Sequence, residues 1–155
     1  MQNVIDKANK IAREYGANLD RIAEGLGLNV MFDKLEGRLK EYYVHGSIVI
    51  NDDLPRSEKK ELIAHAVGHH VLHAGNHLAM QRRVYSFGNY HEKQANVFAA
   101  CLLIPINNLM KLIADKARID EIAEYFDVRE ELVRLRLLVW ANFEKDITSQ
   151  SANAS

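Results

Sequence analysis

The sequence predicts an α+β fold: a small sheet of about three strands packed on a central helix, with a C-terminal helical region. Three observations carry this reading. Apolar residues recur at helical spacing at the start and through the second half of the chain, and β-rich runs cluster between residues 28 and 51. The helix expected after Pro55 is apolar on more than one side, as a helix buried against a sheet must be. The chain has 155 residues, 48% of them hydrophobic, enough for one domain with a sizeable core. That domain is assigned to residues 1–147, and the small polar stretch 148–155 is expected to be a disordered tail.

Val4, Ile5, Ala8, Ile11, Ala12 and Tyr15 form one apolar stripe that Gly16 terminates, which predicts a first amphipathic helix. A short helical piece over Asn18 to Glu24 stops at Gly25 and Gly27, and Leu28 to Phe32 reads as a strand. Leu39 to Val44 and Ser47 to Asn51 are β-rich and joined through His45-Gly46, a hairpin-like turn. Asp52 to Arg56 is a loop containing Pro55. Ser57 is the expected N-cap of the central helix, with Glu58 and Glu61 where the helix dipole favours negative charge. That helix carries Leu62, Ile63, Ala66, Val67, Val71 and Leu72, and Gly75-Asn76 should end it. His77 to Asn89 looks irregular, with a short strand expected at Val84 to Phe87. A further helix from Tyr90 to Leu103 is closed by Pro105.

Twenty basic and 21 acidic residues leave a net charge of -1, which excludes a global bias toward nucleic acid or anionic membranes. Met1 to Gly16 mixes Asp6 and Glu14 with Lys7, Lys10 and Arg13 and has the character of neither a signal peptide nor an anchor. No apolar run is long enough to span a bilayer, so no membrane association is expected. The single cysteine, Cys101, excludes an internal disulfide, fits a reducing cytosol and reads as a core residue in an apolar helical run.

The chemistry concentrates at His65-Ala66-Val67-Gly68-His69. Residues four apart on a helix lie nearly one above the other, so His65 and His69 can offer two imidazoles to one ion. In the zinc-peptidase pattern His-Glu-x-x-His, the residue after the first histidine is the general base that takes a proton from the attacking water. Here that position is Ala66, whose methyl group takes no proton. On the next helix Glu92, Ala95, Asn96, Ala99 and Leu102 share overlapping faces, and the small residues allow close helix approach, so Glu92 is within reach as a third ligand. His69 with His73, and His73 with His77, have the same spacing and form competing pairs. His70 and His73 read as packing or supporting groups, His45, His77 and His91 as surface or loop histidines. Asn96 reads either as a supporting hydrogen-bond partner or as an ordinary buried amide.

These segments together resemble an ImmA/IrrE-type metallopeptidase. The matching text is Ser47-Ile48-Val49-Ile50-Asn51, then His65 through His73, then Glu92-Lys93-Gln94-Ala95-Asn96-Val97-Phe98-Ala99-Ala100, ending in Leu102-Leu103-Ile104-Pro105. The resemblance implies a cytoplasmic zinc peptidase of the kind that cuts helix-turn-helix transcriptional repressors. It implies His65, His69 and Glu92 as ligands of Zn2+, and Ala66 as the departure that removes the catalytic glutamate. The chain as given is therefore expected to be inactive. The alternative is a non-cleaving protein that sequesters a repressor or another partner.

At the C-terminal end, Ile119 to Phe126, Asp127-Val128 and a helix from Arg129 to Phe143 are helix-turn-helix-like, with Arg129, Arg134 and Arg136 as candidate phosphate contacts. Glu130 and Glu131 beside them, and Leu132, Val133, Leu135, Leu137 and Leu138 along the helix, leave no basic stripe, so direct nucleic acid binding is not expected.

Overall fold

The computed structural model describes residues 1–16, 18–44, 46–73 and 90–152. Among them are seven helices and one three-stranded mixed sheet, the α+β architecture expected. Helix α1 (Gln2–Tyr15) buries Val4, Ala8 and Ile11, and it ends at Gly16, whose φ of +73° is one that residues with a Cβ rarely adopt. Helix α2 (Leu19–Gly25) is capped by the Asn18 side chain, which accepts from the Arg21 N–H at 3.1 Å.

The strands are β1 (Asn29–Asp33), β2 (Glu41–Val44) and β3 (Ser47–Asn51), in the order β1-β3-β2. The expected hairpin is present: β2 pairs antiparallel with β3 from Val44 opposite Ser47 to Glu41 opposite Ile50. His45, in its turn, lies outside the described residues. Strand β1 runs parallel to β3 on the other side, with Val30 opposite Ile48. Ile48, Val49 and Ile50 are all buried, as a central strand covered on both faces requires, whereas Met31 and Phe32 on the edge strand are exposed. Buried Asn51 ties down the loop before β2. Its Oδ1 accepts from the Asp53 N–H at 3.1 Å and its Nδ2 donates to Leu39 O at 3.3 Å.

Helix α3 (Arg56–Leu72) starts before the predicted cap: Pro55, not Ser57, is the N-cap, and its carbonyl accepts from the Lys59 N–H at 3.0 Å. Pro55 is extended at the N-cap, with φ -57° and ψ 151°, and no side chain caps the first turn. The helix ends at Leu72, with His73 as its C-cap; the Gly75-Asn76 stop and the Val84 to Phe87 strand lie outside the described residues. Helix α4 (Tyr90–Leu103) has the predicted bounds and is the core of the molecule, with every residue from Val97 to Leu103 buried, Cys101 among them.

Helices α3 and α4 pack unusually closely. A Cβ placed on Gly68 would lie 3.1 Å from Ala95 O, 3.1 Å from Phe98 Cδ1 and 3.2 Å from Ala95 Cα. Glycine costs an interior helix position roughly 1 kcal/mol relative to alanine, so its value here lies in the approach of the two backbones. This is the close contact expected from the small residues Ala95 and Ala99.

Three more helices complete the chain: α5 (Ile106–Ala114), α6 (Ile119–Phe126) and α7 (Glu130–Ala152). Helix α5 has no counterpart among the sequence-based expectations, although Ile106, Leu109 and Ile113 carry the helical spacing. Asp127, at φ +51°, makes the left-handed turn after α6. Helix α7 continues past Phe143 to Ala152, into the stretch from Thr148 expected to be a disordered tail; Glu144 and Lys145 favour helix, and no glycine or proline interrupts the sequence there. Residues 153–155 lie outside the described ones. No single helix among the described residues is long and apolar enough to cross a membrane.

The turn between α6 and α7 is clamped to the start of α3. The Arg129 backbone N–H donates to Glu61 Oε1 at 2.6 Å, its guanidinium donates to Glu61 Oε2 at 2.6 and 2.9 Å, and Glu58 stands 3.5 Å from it. Lys60 Nζ donates to Phe126 O at 2.5 Å beside them. Glu61 is buried while the Arg129 side chain keeps 43% exposure, so removing the carboxylate leaves a cation that still reaches water. Glu61→Ala is therefore expected to cost about 2 kcal/mol, the scale of hydrogen bonds to charged groups, in chemical denaturation. Gly68→Val is expected to cost about 1–3 kcal/mol by overpacking against the α4 backbone, and unchanged stability would show that the helices are free to separate.

Candidate metal centre

The α3–α4 contact brings three side chains to one point. His65 and His69 project from one face of α3, and Glu92 comes from the first turn of α4, one turn before Ala95. His65 Nε2 lies 3.0 Å from His69 Nε2 and 3.3 Å from Glu92 Oε2, and His69 Nε2 lies 3.2 Å from Glu92 Oε1. The ligand atoms all fall within 4.8 Å of one another. The two imidazoles are largely covered, with side-chain exposures of 12% and 8%, whereas Glu92 retains 47%. The cluster is thus walled by helix on one side and open to solvent at the carboxylate.

Asn96, one turn after Glu92, accepts at Oδ1 from His65 Nδ1 at 2.8 Å. Of its two readings, the structure shows the supporting one. With a cation in place of the Nε2 proton, a proton held on Nδ1 would keep the Nε2 lone pair directed at the point that His69 and Glu92 share. Hydrogen bonds from His65 and His69 hold the Glu92 carboxyl well below the usual carboxylate range, outweighing the opposing effect of its partial burial. An ionised carboxylate and two imidazole nitrogens converging on one point form an electron-rich set that needs a proton or a cation between its members.

The spacing suits a cation. Nitrogen and oxygen ligands at zinc distances on a tetrahedral ion stand about 3.3 Å apart, close to the three separations observed. Three protein ligands would also leave a fourth position open, as in catalytic zinc sites. Ala66, next to His65, is only 3% exposed and belongs to the apolar core, and its methyl group offers the cluster no carboxylate.

The competing histidine pairs resolve as follows. His69 turns its Nε2 toward His65 and Glu92, while its ring lies 5.6 Å from that of His73. His73 faces His91, the two Nδ1 atoms 3.2 Å apart. His91 is thus neither a loop nor a surface histidine. It lies in the first turn of α4, part-buried, and its position one residue before Glu92 was the signal for it. Burial, and then the nearby His91 and His69, lower the proton affinity of His73. His70 is half-buried on α3, and His77 lies outside the described residues.

The three arginines considered for phosphate contact are engaged elsewhere. Arg129 is held by Glu61, Arg134 pairs with Glu130 at 2.9 Å, and Arg136, 4% exposed, donates to Ile104 O at 3.0 Å.

Comparison with known proteins identifies the family. The model of the Peptidase M78 family, described as the IrrE N-terminal-like domain, matches residues 23–138, which include the sheet, both site helices and the α6–α7 turn. The chain belongs to the Peptidase M78 family. Among relatives of this M78 chain is the phage-like element PBSX protein XkdA of Bacillus subtilis (strain 168), 31% identical over 120 residues, covering 76% of this chain and 59% of that protein. Another is the uncharacterized immunity region protein 2 of Bacillus phage phi105, 29% identical over 126 residues, covering 77% of this chain and 79% of that protein. A solved structure described as a Mycobacterium tuberculosis transcriptional regulator shares the fold, with a TM-score of 0.67 and 18% identity over 88% of this chain and 46% of that one. The M78 chain described here thus spans 59% of XkdA and 46% of the regulator.

Proposed function

We propose that this chain is a zinc-holding M78 protein that engages a helix-turn-helix transcriptional repressor in the cytoplasm and, with alanine at position 66, does not cleave it at a peptidase's rate. The observation that carries this reading is the pairing of a closed ligand set with a missing base: His65, His69 and Glu92 converge within bonding range of one ion, while Ala66 lies in the core. A relative from a phage immunity region supports a regulatory setting. His65, His69 and Glu92 would hold the zinc. When bound, the ion would supply Lewis-acid polarisation of a peptide carbonyl and would acidify water.

The other steps fall to the chain's own residues. Asn96 keeps the His65 proton on Nδ1 and so orients Nε2. Loss of such a supporting partner typically lowers metal affinity about 10–100-fold, and that drop is expected for Asn96→Ala in a competition titration against a zinc chelator. A general base at position 66 would have to remove the proton of the attacking water, and a methyl group leaves that step to bulk solvent.

The same alanine favours a second reading, in which the chain sequesters a repressor or another partner without cutting it. Retention of three ligands and their asparagine support without the base fits a surface kept for binding.

Ala66→Glu separates these readings. The zinc-loaded variant is expected to cleave a susceptible repressor about a hundredfold to ten-thousandfold faster than the chain as given, measured by gel densitometry over a panel of helix-turn-helix repressors. A folded, zinc-loaded variant that cuts none of them would remove the peptidase reading. Tight binding of a repressor by the parent, measured by calorimetry, would then support sequestration. A buried carboxylate is costly without a cation, so the variant is also expected to be less stable than the parent when stripped of metal and to recover on zinc addition.

A further inference from the structure

Strand β1 has a partner on one side only: it pairs with β3, and among the described residues no strand pairs with its other edge. The Asn29 N–H donates to Gly46 O at 3.3 Å and Asp33 O accepts from the Asp52 N–H at 2.9 Å, so residues 29, 31 and 33 bond inward to β3. The N–H and C=O groups of Val30 and Phe32, at the intervening positions, therefore point outward from the sheet. Met31 and Phe32 are 41% and 49% exposed, and no proline or lysine interrupts β1. An exposed apolar edge with unpaired backbone groups is a template for another strand.

The two ends of this edge differ. Val30 and Phe32 lie on the face of the sheet where Ile48 and Ile50 pack with the helices. Beside Val30 is a groove of about 440 Å³ between β1 and α2, lined by Ala23 and Leu28 and by the carboxylate-bearing Asp20 and Glu24. Neither acid has an ion-pair partner among the described residues. At the other end, Lys59 Nζ stands 5.5 Å from the centroid of the Phe32 ring; bonded to Asp52 at 2.6 Å, the lysine side chain keeps 22% exposure.

We propose that β1 is the docking edge for a second copy of this chain, the two β1 strands pairing antiparallel about a twofold axis at Met31 to make one six-stranded sheet from two sheets of three. The edge is self-complementary in that register. Val30 of each copy stands opposite Phe32 of the other, and each such pair exchanges two backbone hydrogen bonds. Met31 meets Met31 on the opposite face. Asn29, whose Nδ2 spends one hydrogen on Ser47 Oγ at 3.1 Å, faces Asp33 of the other copy with its second hydrogen. Antiparallel pairing also carries the Phe32 ring and its lysine to the groove that holds Asp20 and Glu24, so the acidic end of one copy receives the cation of the other.

Sedimentation equilibrium at rising protein concentration, up to about 1 mM, tests this. The parent is expected to move from the mass of one chain to that of two. Phe32→Pro removes an outward N–H and leaves the β1–β3 ladder intact, and Met31→Lys opposes two like charges across the axis. Both are expected to stay monomeric, with circular dichroism showing that they are folded. Register is checked by cross-linking under mild oxidation, with buried Cys101 as the only other thiol. Met31→Cys is expected to give a disulfide-linked dimer, because the two Cβ atoms would stand about 5 Å apart. Asn29→Cys is expected to give none, because its two copies would be about 13 Å apart. A parent that stays monomeric throughout would overturn the proposal, including the case in which a repressor segment occupies this edge instead. A dimer that persists in folded Phe32→Pro, or one that Asn29→Cys links and Met31→Cys does not, would overturn it as well.

Discussion

Everything at the metal centre depends on how closely α3 approaches α4. Gly68 lies between the two histidines of α3 and rests on the backbone of Ala95, one turn beyond Glu92. A larger residue at either position would move the Glu92 carboxylate away from both imidazoles at once, because the ligands are carried by rigid helices and not by adjustable loops. The glycine therefore loses helix propensity and gains a close, fixed approach of α3 to α4.

That pair is braced from a distance. Glu58 and Glu61 look in the sequence like favourable charges at a helix start, yet they also reach across to Arg129 and join the α6–α7 turn to α3. The helix-turn-helix-like appearance of the C-terminal region follows from its local geometry, a short turn through left-handed Asp127. Its arginines are spent on this bracing, on the exposed Arg134–Glu130 pair and on the end of α4, where Arg136 satisfies the Ile104 carbonyl. A cation near a helix C-terminus is favourable, which accounts for a buried arginine without any need for phosphate.

What could be read from the sequence was what depends on local periodicity. His65 and His69 at four-residue spacing, the buried run of α4 and the β2–β3 hairpin all follow from patterns within one or two elements. The parallel pairing of β1 with β3 did not follow, because strand order is decided by tertiary packing and not by the alternation within a strand. The partner of His91 was hidden for the same reason: histidines at positions 73 and 91 meet only once the two helices are packed. The Ser57 cap failed because a cap residue lies outside the helix it caps, and the chain is already helical from Arg56.

The candidate ligand set and position 66 are separate features of α3. His65, His69, Glu92 and Asn96 form one hydrogen-bonded unit that does not involve position 66, so an alanine there need not disturb it. Ala66 instead belongs to the buried apolar core, where a methyl group is favourable and a carboxylate would be costly unless a cation stood within reach. A glutamate at that position would therefore lower the stability of the metal-free fold, a cost that alanine avoids.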